Sequence, residues 1–495
     1  MILFHKRGHI DMEKIKGKLK QPKVFNLSFV TAMSERFGYY IISFLIVLIL
    51  KDIFKFSDSD SFKLCAIFIA LGYLTPAIGG FLADKVIGIK RCLGLGLLLE
   101  MTGFILLALP SNNIFLFVIA LGFIVIGAGI FKTAPTNMMG RAYEDNDPRI
   151  DSGFTLYYMG INIGSFSSSL IAGPVKDAYG WGIPFAISAA GLFFGFIWFM
   201  FFKKHGDNLE SPPGMKSFHP GKWFIVVICC ILGVLASAMM MLYVEIGSMC
   251  FYVLSGLIFI YLIWEIIISP KEDKKKIMVC LILIFLAVGF FSLYYQLYQS
   301  VVLFLQRNVD RTLFGIDIPT PVFLGLNGLS VIILGPILAL IYNFLEKRKK
   351  DLSITTKFPL GILIITLGFL ILYVGTLMDN GTGKISCLWV IAYLIVYSLG
   401  ELLIGALGVA MITRIAPAKM YGIMMGAWFF IGSGLSAEFS GTVASLAKVP
   451  PELLSNLGAT MNIYGKAFLD MAYIGLAFAL VGFILAPWLK KRAIG

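Results

Sequence analysis

Charge and histidine are scarce in this chain. Only 14% of its 495 residues are Asp, Glu, Lys or Arg, where a soluble chain carries roughly a quarter. So little charge, with 58% hydrophobic residues, excludes a string of soluble domains. Long apolar runs separated by short basic loops point instead to a polytopic helical membrane protein. The four histidines, His5, His9, His205 and His219, all fall in polar segments. No His/Asp cluster has metal-ligand spacing, so a membrane metalloenzyme has no support and no catalytic residue is assigned. The seven cysteines are odd in number and lie mostly in apolar runs. They read as small apolar fillers, with neither a metal site nor a disulfide framework implied. No P-loop occurs, which argues against a primary pump. No apolar core precedes the first span, so residues 1–23 do not read as a cleavable signal.

What the chain does have is spans. Fourteen are read at about 24–50, 62–84, 92–110, 113–139, 152–175, 181–203, 221–244, 247–269, 276–305, 320–345, 357–378, 386–413, 420–446 and 464–489. Each is long enough to cross a bilayer with some tilt. With the N-terminus placed inside, 30 of the 41 Lys and Arg fall in inside segments and 9 in outside ones. This asymmetry puts both termini in the cytoplasm. It also accounts for the net charge of +13 without a nucleic-acid partner. The expected organisation is a tail at 1–23, a six-helix half at 24–203, a linker at 204–220, an inserted two-helix hairpin at 221–269, a second six-helix half at 270–489 and a short end at 490–495.

A few charges lie inside the apolar runs. Glu35 and Arg36 stand in the first span, Lys132 in the fourth and Glu401 in the twelfth. A charge at bilayer depth costs at least ~2.5–3.5 kcal/mol, so such residues normally line a substrate or proton pathway. Glu35 and Arg36 are adjacent, point about 100° apart on a helix and need not pair with each other. Glu100, Glu245, Glu265 and Glu438 also lie in or near spans. Glu245 and Glu265 read as hairpin contacts, and no role is assigned to Glu438. Closely spaced small residues in GAGIFKTAP, GINIGS and GAWFFIGSGLSAEFSG allow helices to pack tightly and slide.

Between spans 2 and 3 runs GGFLADKVIGIKR. It resembles the signature loop of the major facilitator superfamily, with Gly80, Asp84, Gly88 and Arg91 as a cytoplasmic latch. Further motifs narrow the resemblance. The run Ser34-Glu35-Arg36-Phe37-Gly38-Tyr39-Tyr40 looks like the ExxERFxYY motif of the proton-dependent oligopeptide transporters. Gly127 to Lys132 matches that family's lysine segment. Phe154 to Ser165, with Asn162, resembles its FYxxINxGS signature. Gly400-Glu401 and Met424 to Phe430, with Trp428, resemble its tenth and eleventh core helices. Two positions depart from the pattern: Ala32 stands where the first motif glutamate is expected, and Tyr295-Gln296 where a seventh-helix glutamate is frequent.

The resemblance implies an all-α integral membrane protein of the major facilitator fold, with two six-helix bundles and two inserted central helices. It implies a proton-coupled symporter importing di- and tripeptides across the bacterial cytoplasmic membrane by alternating access, working as a monomer without a cofactor other than the proton. The alternative within the family is a carrier for a non-peptide solute. Proton coupling falls to Glu35, Arg36, Lys132 and Glu401. The substrate site implied is Arg36, Tyr39, Tyr40, Lys132, Asn162, Gln296, Asn327, Glu401 and Trp428. In it Arg36 and Lys132 face the peptide carboxylate, and Glu401, with Asn162 and Asn327 as amide neighbours, faces its ammonium. Glu35 is expected to alternate between Lys132 and a proton. Tyr157, Tyr158 and Gln299 are weaker candidates for the same cavity.

Overall fold

The computed structural model describes residues 20–144, 147, 149–215, 220–348, 353–379 and 381–493. Most of the expected N-terminal tail, part of the linker and the last two residues lie outside the described residues. The helices are α1 (Lys23–Asp52), α2 (Asp58–Phe81), α3 (Ile89–Ala108), α4 (Ile114–Ala142), α5 (Ile150–Tyr179), α6 (Gly182–Phe202), α7 (Pro220–Leu242), α8 (Val244–Ile268), α9 (Lys271–Tyr294), α10 (Ser300–Asn308), α11 (Thr320–Lys347), α12 (Ile354–Leu377), α13 (Cys387–Ile415), α14 (Tyr421–Ala427), α15 (Ser436–Ala444) and α16 (Leu457–Ala493).

Among the described residues, twelve helices are long and apolar enough to cross a membrane. The other two expected spans are helical but less apolar. Helix α5 carries Asp151, Lys176, Asp177 and a run of serines. The second is broken: α14 and α15 flank a π-helical stretch, Trp428–Leu435. The ninth span is broken too, with a 3-10 turn at Tyr295–Tyr298 between α9 and α10. Among the described residues four two-residue strands occur in loops: Val309–Asp310 pairs in parallel with Ile385–Ser386, and Thr312–Leu313 pairs antiparallel with Ile316–Asp317.

The chain divides into two compact units. The first comprises residues up to Ile41, Thr75–Ser168 and Tyr179–Ala238. Here α3 packs along α4 and α6. Glycine permits the close approach of α3 and α4. A Cβ on Gly96 would come within 2.7 Å of the Phe131 nitrogen and 2.8 Å of the Gly127 carbonyl. Helix α7 lies on α4, where a Cβ on Gly122 would meet the Val234 carbonyl at 2.6 Å.

The second unit comprises Ile42–Leu74, Ser169–Ala178 and Met239 onward. Helix α12 packs against α13 and α16, and α9 against the π-helical stretch, α15 and α16. Helix α8 is fastened to α2 and α15. Glu245 pairs with Lys63 at 2.7 Å, Phe251 stacks on Phe430 with ring centroids 5.8 Å apart, and Tyr252 and Ser248 hydrogen-bond Glu438. Glu438 is therefore an anchor for the inserted hairpin, a role its sequence context does not suggest.

Candidate functional site

In the first unit the in-span charges gather around α1. Both Nε and Nη2 of Arg36 donate to the Glu35 carboxylate, forming a two-pronged pair. This corrects the expectation that adjacent residues on a helix need not pair. The Cβ vectors do diverge, but the long arginine side chain reaches back around the turn, and its fork matches a carboxylate. Glu35 is 1% exposed. The guanidinium also stacks over the Tyr39 ring, 4.7 Å from its centroid, and Tyr39 meets Tyr40 edge-on. Lys132 on α4 is half-buried and feels both Arg36 and Glu35. Tyr157 on α5 is buried within reach of the same pair, whereas Tyr158 is exposed. Asn162 is buried and donates to the Tyr158 carbonyl of its own helix at 2.9 Å. Ala32 is buried and supplies no carboxylate.

In the second unit Glu401 of α13 is half-buried. Asn327 Nδ2 donates to its Oε2 at 2.7 Å, and the Tyr294 hydroxyl donates to Oε1 at 3.2 Å. The same amide reaches Ser398 Oγ at 3.0 Å. Tyr294 stacks on Tyr397, whose hydroxyl donates to the Tyr294 carbonyl at 2.8 Å. The Tyr294 hydroxyl and the Asn327 amide thus aim the Glu401 carboxylate. Asn327 is the amide neighbour the sequence suggested.

Gln296 and Trp428 sit deeper. Gln296 is fully buried, donates to the Ser292 and Ser440 carbonyls at 3.0 Å each, and accepts from Ser300. Gln299 Nε2 donates to Ser440 Oγ at 2.8 Å. Together the two glutamines tie the 3-10 break of the ninth span to α15, satisfying groups that a straight helix would satisfy internally. Trp428 is 2% exposed, with Phe291 and Phe358 edge-on to its ring. It opens the π-helical stretch.

A second polar tie in this unit escaped the sequence reading. Asp58, at the start of α2, accepts from Arg307 Nη1 and Nη2 at 2.6 and 2.9 Å, pairs with Lys51 at 2.8 Å and caps the Val449 nitrogen at 3.1 Å. Tyr464 accepts a further bond from Arg307 at 3.0 Å. The side chain of Asp58 is 1% exposed. One carboxylate therefore serves two cations. In the sequence it is one of two acids in the polar run FSDSDS, and nothing local marks it.

The loop expected to act as a latch belongs to the first unit. Gly88 takes φ = 95°, a backbone a side chain rarely adopts, just before α3 begins. Asp84 meets Arg141 at 3.5 Å. Arg91 bonds the Ile87 and Pro213 carbonyls at 3.4 and 3.5 Å. Gly80 leaves room beside Thr133. The principal staple is Glu210 of the linker. Its buried carboxylate accepts from the Ile89, Lys90 and Ser211 nitrogens at 2.6, 3.2 and 2.9 Å. It thereby satisfies the free N–H groups at the start of α3, where the helix dipole also favours an anion. Lys90 pairs with Asp207 alongside. Removing the carboxylate in Glu210→Ala should cost about 1.5–3 kcal/mol, read as a lower unfolding temperature in detergent and faster proteolysis at the linker.

The profile of the POT family matches residues 90–463. The chain is 34% identical over 477 residues to dipeptide and tripeptide permease A of Chromobacterium violaceum, covering 96% of this chain and 95% of the relative.

This chain belongs to the POT family.

The permease of the same name from Escherichia coli is 32% identical, covering 95% of this chain and 93% of the relative. Among solved structures, tetrameric PepTSo2 superposes with a TM-score of 0.86 at 30% identity, over 95% of this chain and 99% of that one. A structure described in work on substrate recognition in proton dependent oligopeptide transporters gives 0.82 at 31% identity, over 95% and 99%. The POT member is accordingly an integral membrane protein of the major facilitator fold and a secondary transporter, not an enzyme. Among the described residues no group of three His, Cys, Asp or Glu could hold a metal.

Proposed function

We propose that this POT member is a proton-coupled symporter importing di- and tripeptides across the cytoplasmic membrane by alternating access. The observation that carries the reading is a pair of in-span sites of opposite chemistry. Arg36 and Lys132 accompany the acid Glu35 in one unit, and Glu401 in the other accepts from Asn327 and Tyr294. A peptide zwitterion has a carboxylate suited to the first set of groups and an ammonium suited to the second. The names of the full-length relatives, dipeptide and tripeptide permeases, support the same substrate class over a non-peptide solute.

In this reading Arg36 and Lys132 hold the peptide carboxylate, while Glu401, Asn327 and Asn162 hold the ammonium and amide end. Tyr39, Tyr40, Gln296 and Trp428 shape the surrounding pocket. The coupling groups are Glu35, Arg36, Lys132 and Glu401. Both termini are cytoplasmic, the working unit is a monomer, and the halves at 24–203 and 270–489 flank the inserted hairpin at 221–269. Gly80, Asp84, Gly88 and Arg91 latch the cytoplasmic end. One net charge moved inward at 100 mV supplies roughly 2.3 kcal/mol before any pH gradient is added, enough to concentrate peptide without ATP.

The test is uptake of labelled dialanine into proteoliposomes with and without an inward proton gradient. Accumulation above the bath that depends on the gradient is the expected result. Uptake that merely equilibrates, gradient or not, would overturn proton coupling, and no uptake by folded protein would overturn the peptide reading.

A further inference from the structure

Glu100 lies in the middle of α3, in the first unit. It is 0% exposed, and neither carboxylate oxygen has a hydrogen-bond partner among the described residues. Its surroundings are tightly built. A Cβ on Gly127 of α4 would meet the Glu100 nitrogen at 2.6 Å and its Cγ at 2.7 Å, so α4 walls off one side of the side chain. The charged groups that act on it are Glu35 and Arg36 of α1. The same two act on Lys132 of α4 and on Tyr157 of α5. Helix α6, which also packs on α3, carries no titratable side chain between Gly182 and Phe202. Within the described spans of this unit, the buried acids are Glu35 and Glu100.

An ionised carboxylate sealed from water without a donor is costly, whereas the neutral acid largely avoids that cost. Glu35, by contrast, accepts the two-pronged Arg36 fork. The cluster of Arg36, Lys132 and Glu35 has an excess of one positive charge. An ionised Glu100 would cancel that excess, and so would the carboxylate of an incoming peptide. The two anions therefore compete for the same positive field. Whichever is present favours neutrality of the other.

We propose that Glu100 is a proton-binding residue of the transport cycle: it holds a proton while a peptide carboxylate occupies Arg36 and Lys132, and releases it to water once the peptide has left. The proton is exchanged with water that reaches the carboxyl in a different state of the cycle from this sealed one, with no other bond made or broken. The proposal rests on the symport reading above and extends it to a residue outside the motifs.

Glu100→Gln keeps the shape and removes the titration. In proteoliposomes it should retain peptide counterflow at zero gradient while gradient-driven accumulation of dialanine falls at least about tenfold. In infrared difference spectra of the purified protein across an acid-to-alkaline jump, a protonated-carboxyl band present in the wild type should vanish in the variant. Unchanged accumulation in the variant, or an unchanged band, would overturn the proposal. A wild type that concentrates no dialanine would overturn the peptide reading instead, and the infrared band would then decide Glu100 by itself. Should Glu100→Gln fail to fold, Glu100→Asp keeps an acid with a shorter reach. A shifted pH profile of uptake in that variant supports the proposal, and a superimposable profile overturns it.

Discussion

Replacing Glu401 with alanine is expected to abolish dipeptide binding, weakening it by at least about 30-fold, since truncating one partner of a buried charge pair costs 2–5 kcal/mol. The geometry separates this from a folding defect. Asn327 keeps its bond to Ser398 at 3.0 Å when the carboxylate is gone, and Tyr294 remains stacked on Tyr397. Glu401→Gln sharpens the test. The amide retains an acceptor for Asn327 but carries no charge, so a purely structural glutamate would tolerate it. The ammonium role requires that Glu401→Gln lose affinity nearly as fully as Glu401→Ala. Calorimetric titration with dialanine would show it, and wild-type affinity in the glutamine variant would refute the assignment.

The second large effect is expected at Asp58. Its carboxylate is the shared partner of Lys51 and Arg307 and the acceptor for the Val449 nitrogen. Asp58→Asn leaves two cations without their anion in a largely buried place, a loss of about 3–5 kcal/mol for the conformation that contains the tie. Alternating access needs segments distant in sequence to part and rejoin, and residues 51–58, joined to 307 and 449, are expected to act as such a junction. The variant should therefore depopulate the tied conformation by at least about 100-fold and slow transport by a comparable factor. Accessibility of a cysteine placed at Ser59, which meets Ser445 at 3.0 Å, would report the change. Unaltered labelling and transport would mean that the tie is ornamental to the cycle.

The parts of this design that the sequence exposes are those where a residue violates its surroundings. Glu35, Arg36, Lys132 and Glu401 stand out because each interrupts an apolar run, and the structure places the first three in one neighbourhood and Glu401 beside Asn327 in another. Asp58 and Glu210 do not stand out. Each lies in a polar stretch where another acid is unremarkable, and each acts on partners far away in the chain, including backbone nitrogens that have no signature. Glu100 was visible as a charge in a span, but only its burial against Gly127 and its lack of donors give it a chemistry. The Glu35–Arg36 fork was missed for a geometric reason, since helical phase describes where side chains start and not how far arginine reaches. The broken spans were missed because periodicity assumes one unbroken helix, whereas Gln296 and Gln299 hold a 3-10 turn and Trp428 begins a wider one.

That wider turn sets the phase of everything after it. A π turn is an α-helix bearing a surplus residue, and each residue of an α-helix advances the face by about 100°. The stretch Trp428–Leu435 thus works as a vernier between α14 and α15. It decides that Ser440 meets Gln296 and Gln299 while Glu438, two positions earlier, meets Tyr252 and Ser248. The number of residues in the stretch is thus a constraint separate from the packing of Trp428 and Phe430. Loss of a single residue there would turn α15 away from both sets of partners at once, so this part of the chain is constrained in length as well as in composition.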